Sequence, residues 1–587
     1  RGGGGGGGGR DRRAVLDVAW RALVQCQFHD AIAGCCADPV ARALDTRLDE
    51  VEGYAGEVTR EALHDLVGHD PDAAREPGAE QQPTLVLWNP AARARSGVVI
   101  ADLTWFRRDV VVGPPIPGGR EVREAPAPGR FALAGPDGEP IPVQVLDARP
   151  GQERLDAMRR YPDQDEVDVV RVTFRAPAVP GLGAVALTPA PPPGSGTRAS
   201  LVHGDRASAA GRTLANRFVK VTLEPSGALT LTDRLSGERF RDLLRLESQG
   251  DEGDTYTFCP TPSGGIVRNE RSARVRPLAR GPLVAAIEAT YALRGGGDVE
   301  GKRKRRGRIA VRLVVMLHTD SPVVRCILEI DNQAADQRLR ARVPTGVAGV
   351  PAVAGTQLGV VSRPAMVVDP ADYPLEAPVP TAPAQRFVAV AAGRRGLALL
   401  APGFFEYELT PGGDLVFTLL RAIGELSRGD LPTRPGHAGW PTPTPLAQCA
   451  GRDRIELAVI PLADAAARRG DVLMQRWEEV FLPLRGAWLR DAVAVRPAPA
   501  GITLEGAGLV LSTVKPARAG TGGGMILRCY NATSERTTGA WRFTDGARAA
   551  HRVRADERES TSLPLEDRGR TLRFEAGPHE IVTTLIT

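Results

Sequence analysis

Apolar residues near the start of the chain recur at helical spacing. Val15, Ala19, Ala22, Cys26 and His29 follow one another in steps of three and four, so they share one face of a helix running from Ala14 to Phe28. Asp17, Arg21 and Gln25 make only a narrow polar stripe, which predicts a helix buried on most sides with His29 leaving an apolar face at its end. Small residues, Ala31 to Cys36, then predict a turn. Asp38 suits an N-cap and Pro39 the first helical position, where a missing N–H costs nothing. Leu44, Leu48, Val51, Ala55, Val58 and Ala62 alternate steps of four and three, the seam of a helix lying antiparallel on a neighbour. Two helices cannot bury these faces alone, so the expectation is the remnant of a truncated three-helix bundle, with more chain upstream.

The period changes to two after a polar, proline-containing linker at 68–83. Thr84 to Trp88 reads as a strand stopped by Asn89-Pro90. Phe218 to Leu223 and Leu229 to Thr232 flank a Pro-Ser-Gly turn as a hairpin. Further strands are predicted at Ile309–Leu317, Val324–Ile330, Phe387–Ala391, Leu397–Leu400, Leu415–Leu420 and Arg454–Val459, with one helical break at Asp471–Glu479. Strands do not alternate with helices in βαβ fashion, and neither a dinucleotide glycine motif nor a phosphate loop occurs. The fold class that follows is mainly β: antiparallel β-sandwich and super-sandwich domains behind an α-helical segment. The expected divisions are a Gly-rich leader at 1–10, helices at 11–70, a small β domain at 83–190, a large sandwich at 200–480 and a last sandwich at 490–587.

Composition narrows the function classes. The net charge is +5, with 75 basic and 70 acidic residues mixed along the chain, so neither nucleic acid nor membrane is expected as a partner. The run from Lys302 to Arg308 lacks interleaved aromatics and reads as a solvated loop. Seven cysteines at scattered spacing suit neither a disulfide framework nor a thiolate zinc site, and suggest a reducing, cytoplasmic setting.

The stretch with most chemistry is Gln27-Phe28-His29-Asp30, an imidazole beside a carboxylate. By spacing alone His29 reads as a core histidine, because no second histidine or carboxylate stands at ligand spacing and a catalytic zinc needs about three protein ligands. Tyr256, in Gly253-Asp254-Thr255-Tyr256-Thr257-Phe258, reads as a half-buried strand tyrosine, and Asp251, Glu252 and Asp254 as turn acids or hydroxyl ligands.

Several blocks together resemble glycoside hydrolase family 38, the retaining zinc α-mannosidases. They are Gln27–Asp30, Leu87-Trp88-Asn89-Pro90, Leu214 to Val221, Thr232 to Gly237, Gly253 to Pro260, Leu419-Leu420-Arg421, Leu511 to Pro516 and Arg528 to Asn531, in the family's order. The resemblance implies that His29 is a zinc ligand, that Asp30 and Tyr256 bind sugar hydroxyls, and that Arg428 lies near the sugar. It implies Zn2+ as the cofactor and a mannose-containing glycan or small mannoside as the substrate, and leaves homo-oligomerisation open. The family's nucleophile, acid/base carboxylate and upstream zinc pair have no counterpart in this sequence, so the expectation is the C-terminal part of such an enzyme, inactive by itself. Gly424 to Leu431 with Arg434-Pro435-Gly436 is most similar to bacterial members. The competing reading is a non-catalytic carbohydrate-binding or scaffolding sandwich protein.

Overall fold

The computed structural model describes residues 11–113, 122–157, 159, 161–192, 206–262, 265–269, 271–295, 307–493, 495–496, 501–518, 523–558 and 560–587. The Gly-rich leader and the basic run as far as residue 306 lie outside the described residues.

Three helices come first: α1 (Arg13–Gln25), the single turn α2 (His29–Ile32) and the long α3 (Asp38–Val67). Nearly everything after them is β, and all pairings between the described strands are antiparallel.

Strand Thr84–Trp88 runs through a five-stranded sheet between Ala184–Ala190 and Arg485–Leu489. Its apolar run is continuous because both faces are covered. Leu85 and Leu87 pack on Leu103, Val172 and Phe174 of a three-stranded sheet made by Arg95–Asp109, Gln144–Leu155 and Asp163–Val179. Val86 faces the other way, against Leu63 and Val67 at the end of α3.

In the middle of the chain a five-stranded sheet covers one face of a twelve-stranded one. Val221, Leu231 and Phe240 from the first meet Ile287, Leu313, Leu328, Leu339 and Leu399 from the second. The opposite face of the large sheet packs Phe387, Leu400 and Ile460 against Leu473 and Met474 of α4 (Gly470–Phe481) and Tyr530. The last sandwich closes over Leu527, Cys529, Trp541, Leu572 and Phe574. All seven cysteines are free thiols. No described helix is long and apolar enough to cross a membrane.

The helical segment departs from two expectations. α1 is not buried on most sides: Ala19 and Cys26 are buried, whereas Val18, Trp20 and Val24 are more than half exposed. Two helices pair through small residues, and the opposite apolar face stays open. Asp38 is also not the N-cap. Ala37 takes that position, and the Asp38 carboxylate instead accepts the Leu446 N–H at 3.2 and 3.3 Å. That contact ties the start of α3 to a loop of the large sandwich.

Candidate functional site

Phe28 is extended, with φ −54° and ψ 138°, so α1 stops and the chain restarts at His29 as α2. Gly34, at φ +76°, turns the chain back in a conformation that suits glycine. Cys35 thereby returns to Asp30, and its Sγ donates to Asp30 Oδ1 at 3.6 Å. Burial, then the neighbouring Asp30, push the Cys35 thiol up to about 11, so it remains a donor. His29 Nε2 lies 3.5 Å from Asp30 Oδ2, and the imidazole is 79% exposed. His29 therefore opens a short solvent-facing turn rather than leaving a buried helix.

The second half of the site is built on two buried aspartates. Asp251 Oδ1 accepts the N–H groups of Gly253 and Cys259 at 2.8 and 3.1 Å, and its Oδ2 accepts Arg421 Nε at 2.7 Å. Asp254 Oδ1 accepts the N–H groups of Tyr256 and Thr257 at 3.0 and 2.8 Å. Its Oδ2 accepts the Arg428 N–H at 2.8 Å and a guanidinium N–H of Arg434. Arg421 adds bonds to the carbonyls of Asp254, Thr255 and Thr257. These two carboxylates are thus occupied in shaping the loop that carries Tyr256, which settles their role as turn acids.

Tyr256 emerges from that loop 39% exposed. Burial, followed by the charges of Cys35, Asp30 and Asp254, pushes its phenol above the usual range. The turn bearing Asp30 and the loop bearing Tyr256 are therefore neighbours, although 226 positions separate them in sequence. Gly439 flanks the phenol: a Cβ there would lie 2.9 Å from the Tyr256 hydroxyl. Ser427 Oγ accepts the N–H groups of Ala438 and Gly439 at 3.1 Å each, which holds that flank in place.

Arg428 follows Ser427 on the second loop and is linked to Tyr256 through Asp254. Its guanidinium is engaged by both oxygens of Asp430, at 3.0 and 2.8 Å, and by the Glu252 carbonyl at 2.8 Å. Sequence reasoning passed over Cys35, Arg434 and Gly439. The Gly-Asp-x-Tyr spacing signals an Asp-initiated turn, but nothing local identifies an arginine 180 residues away as the partner of Asp254.

Comparison with known proteins follows the same blocks. Residues 214–425 match the glycosyl hydrolases family 38 C-terminal domain, and residues 508–584 match the family 38 C-terminal beta sandwich domain. The chain belongs to glycoside hydrolase family 38. Tyr256 falls inside the first matched stretch of this family 38 protein, Arg428 three residues beyond it, and His29 and Asp30 outside both. A putative mannosylglycerate hydrolase of Halalkalibacterium halodurans is 26% identical over 559 residues, covering 88% of this chain and 57% of the relative. The solved α-mannosidase of Enterococcus faecalis V583 superposes with a TM-score of 0.77 at 20% identity, over 99% of this chain and 64% of that one. A second family 38 structure from Enterococcus faecalis gives 0.74 at 20% identity, over 99% and 67%. The chain thus spans a little over half of the curated relative and about two-thirds of the solved proteins.

Proposed function

We propose that this chain is the C-terminal part of a zinc-dependent retaining α-mannosidase acting on terminal α-mannosyl linkages in glycans or small mannosides. The observation that supports the reading is the nearness of the Asp30 turn to Tyr256: the charges of Asp30 and Cys35 act on the Tyr256 phenol, and His29 lies beside Asp30. In this reading Asp30 and the Tyr256 hydroxyl grip sugar hydroxyls, and Arg428 stiffens the adjoining loop. The Cys35 thiol holds Asp30 in orientation.

His29 and Asp30 suit zinc in donor type, one imidazole nitrogen and one carboxylate oxygen, but they make two ligands where a catalytic zinc takes about three. Zinc held there would polarise and orient vicinal sugar hydroxyls. A retaining hydrolase also needs two carboxyl groups about 5–5.5 Å apart across the sugar. Asp251 and Asp254 are unsuited, because both are fully enclosed and saturated with hydrogen bonds. The reading therefore assigns the nucleophile and acid/base to a part of the enzyme outside these 587 residues. The length of the relatives supports that assignment.

The experiment is p-nitrophenyl α-mannoside turnover with added zinc. It is run on the chain alone and on the chain joined to the preceding part of the Halalkalibacterium relative. The joined protein turns over and the chain alone does not. His29→Ala in the joined protein lowers kcat/KM by about 100-fold through loss of the metal. Chelator-sensitive turnover by the chain alone would overturn the assignment of the chemistry. Binding of mannosides without turnover in the joined protein would favour the carbohydrate-binding reading instead.

A further inference from the structure

At one edge of the twelve-stranded sheet, strands Arg274–Arg280, Val284–Arg294, Arg308–His318, Val324–Asn332 and Gly451–Pro461 lie side by side. Ile287, Leu313 and Leu328 point to the core, so the residues alternating with them face outward. One outward row reads Arg274, Thr290, Arg312, Glu329 across neighbouring strands. The next reads Ala292, Ala310, Asp331, Arg452. Two alanines set between long side chains leave a hollow of about 660 Å³ above them, the size of a small-molecule site.

Five arginines line this hollow against two acidic residues, Glu329 and Asp331. Both acids are already engaged. Glu329 Oε1 accepts Arg312 Nη1 at 2.7 Å, and Asp331 Oδ1 accepts Gln333 Nε2 at 2.7 Å. Arg312 is also held by Glu288 at 2.6 Å, and Arg452 comes no nearer to Asp331 than 4.0 Å. Among the described residues, the guanidiniums of Arg271, Arg274 and Arg308 have neither a hydrogen bond nor an ion pair. Arg308 is the last residue of the basic run that the sequence alone assigns to a solvated loop.

A concave surface lined by one sign of charge concentrates the opposite ion. The guanidinium fork matches the oxygens of a phosphate, and a phosphate monoester brings close to two negative charges. The single aromatic residue along the hollow, Tyr291, packs on the core side, where a Cβ on Gly227 would come within 2.7 Å of its ring. A nucleobase therefore finds no ring to stack on, whereas the alanine floor leaves room for a sugar. We propose that this hollow binds a phosphate group, free or carried by a sugar, through Arg271, Arg274 and Arg308. The proposal uses none of the residues assigned to the mannoside site and stands apart from that reading.

The test is calorimetric titration of the full chain, at low salt, with mannose 6-phosphate, inorganic phosphate and mannose. Mannose 6-phosphate binds once per chain with Kd below about 1 mM, and mannose does not compete for the hollow. Inorganic phosphate binding as tightly as mannose 6-phosphate would assign the hollow to the free anion; weaker binding would assign it to the sugar ester. Arg274→Ala and Arg308→Ala each weaken binding roughly tenfold, the worth of one charge-assisted contact. Both side chains are exposed and unpaired, so the variants fold, which circular dichroism checks. Arg241→Ala, an exposed arginine on another strand, leaves binding unchanged. Absence of binding up to about 5 mM would overturn the proposal. So would an equal loss in Arg241→Ala, which would reduce the effect to overall charge, or tighter binding of a single-stranded oligonucleotide than of either phosphate.

Discussion

Asp254 illustrates how one enclosed carboxylate can organise a site without touching a ligand. It collects four N–H donors, two from its own loop and two from a loop more than 170 residues away. Arg434, its partner, is 7% exposed, so removing the charge on Asp254 strands a guanidinium away from water. Asp254→Asn should therefore lower unfolding stability by about 3–5 kcal/mol, the range for breaking a buried pair from one side. Urea titration of the chain measures this directly, and a loss below about 1 kcal/mol would show that water replaces the pair. Arg428 and Tyr256 both hang on this carboxylate, which explains why arginine 428 is held to Asp430 and Glu252 rather than reaching freely over the surface.

Helix α3 is fixed at both ends by different means. Asp38 anchors its start to Leu446, whereas Leu63 and Val67 anchor its end on Val86 and Leu489. The end also carries two histidines, His64 and His69, edge to face at 4.8 Å. Burial, then the charges of His69 and Arg60, hold His64 down at about 4 against an ordinary 6.5. Burial likewise lowers His69, with Asp491 opposing it. Both histidines are therefore neutral when folded and take up protons on unfolding. Below pH 6.5 the unfolded form binds more protons, so the docking of α3 weakens as pH falls from about 6.5 towards 4. The slope is at most about 1.4 kcal/mol per pH unit for each histidine. Hydrogen exchange across α3 at pH 7 and pH 5 checks this: faster exchange at pH 5, after correction for intrinsic rates, is expected. His64→Leu should flatten the dependence. The open face of α1, with Val18, Trp20 and Val24, contributes nothing to this docking.

The molecule holds together through a strand that arrives late. Arg485–Leu489 pairs along the full length of Thr84–Trp88, and Trp488 packs against Trp105 of the facing sheet. The early sandwich is therefore incomplete until residue 489 has been made. A chain stopped after Leu482 would leave the Thr84–Trp88 edge unpaired, with Leu85, Val86 and Leu87 losing cover. Exposed apolar edges template association, so this truncation should move most of the protein from the soluble to the insoluble fraction. A soluble, cooperatively folding product by circular dichroism would count against that account.

What the sequence determined by itself was local. The Thr84–Trp88 strand, the hairpin at Val219–Leu223 and Leu229–Asp233, and α4 follow from apolar period and turn residues within a window of ten or so positions. The blocks that mark family 38 are equally local. Strand Asp163–Val179, the longest of the described strands, escaped notice because charged residues interrupt its apolar alternation. Long-range pairing was decided only by the tertiary structure: Arg485–Leu489 against Thr84–Trp88, Arg434 against Asp254, and the Asp30 turn beside Tyr256. Burial and ion pairing depend on which distant segments arrive at a surface, and no periodicity within a segment encodes its partner. The exposure of α1 has the same origin. Its sequence carries apolar residues on nearly every side, but only contact with α3 decides which of them, Ala19 and Cys26, are removed from water.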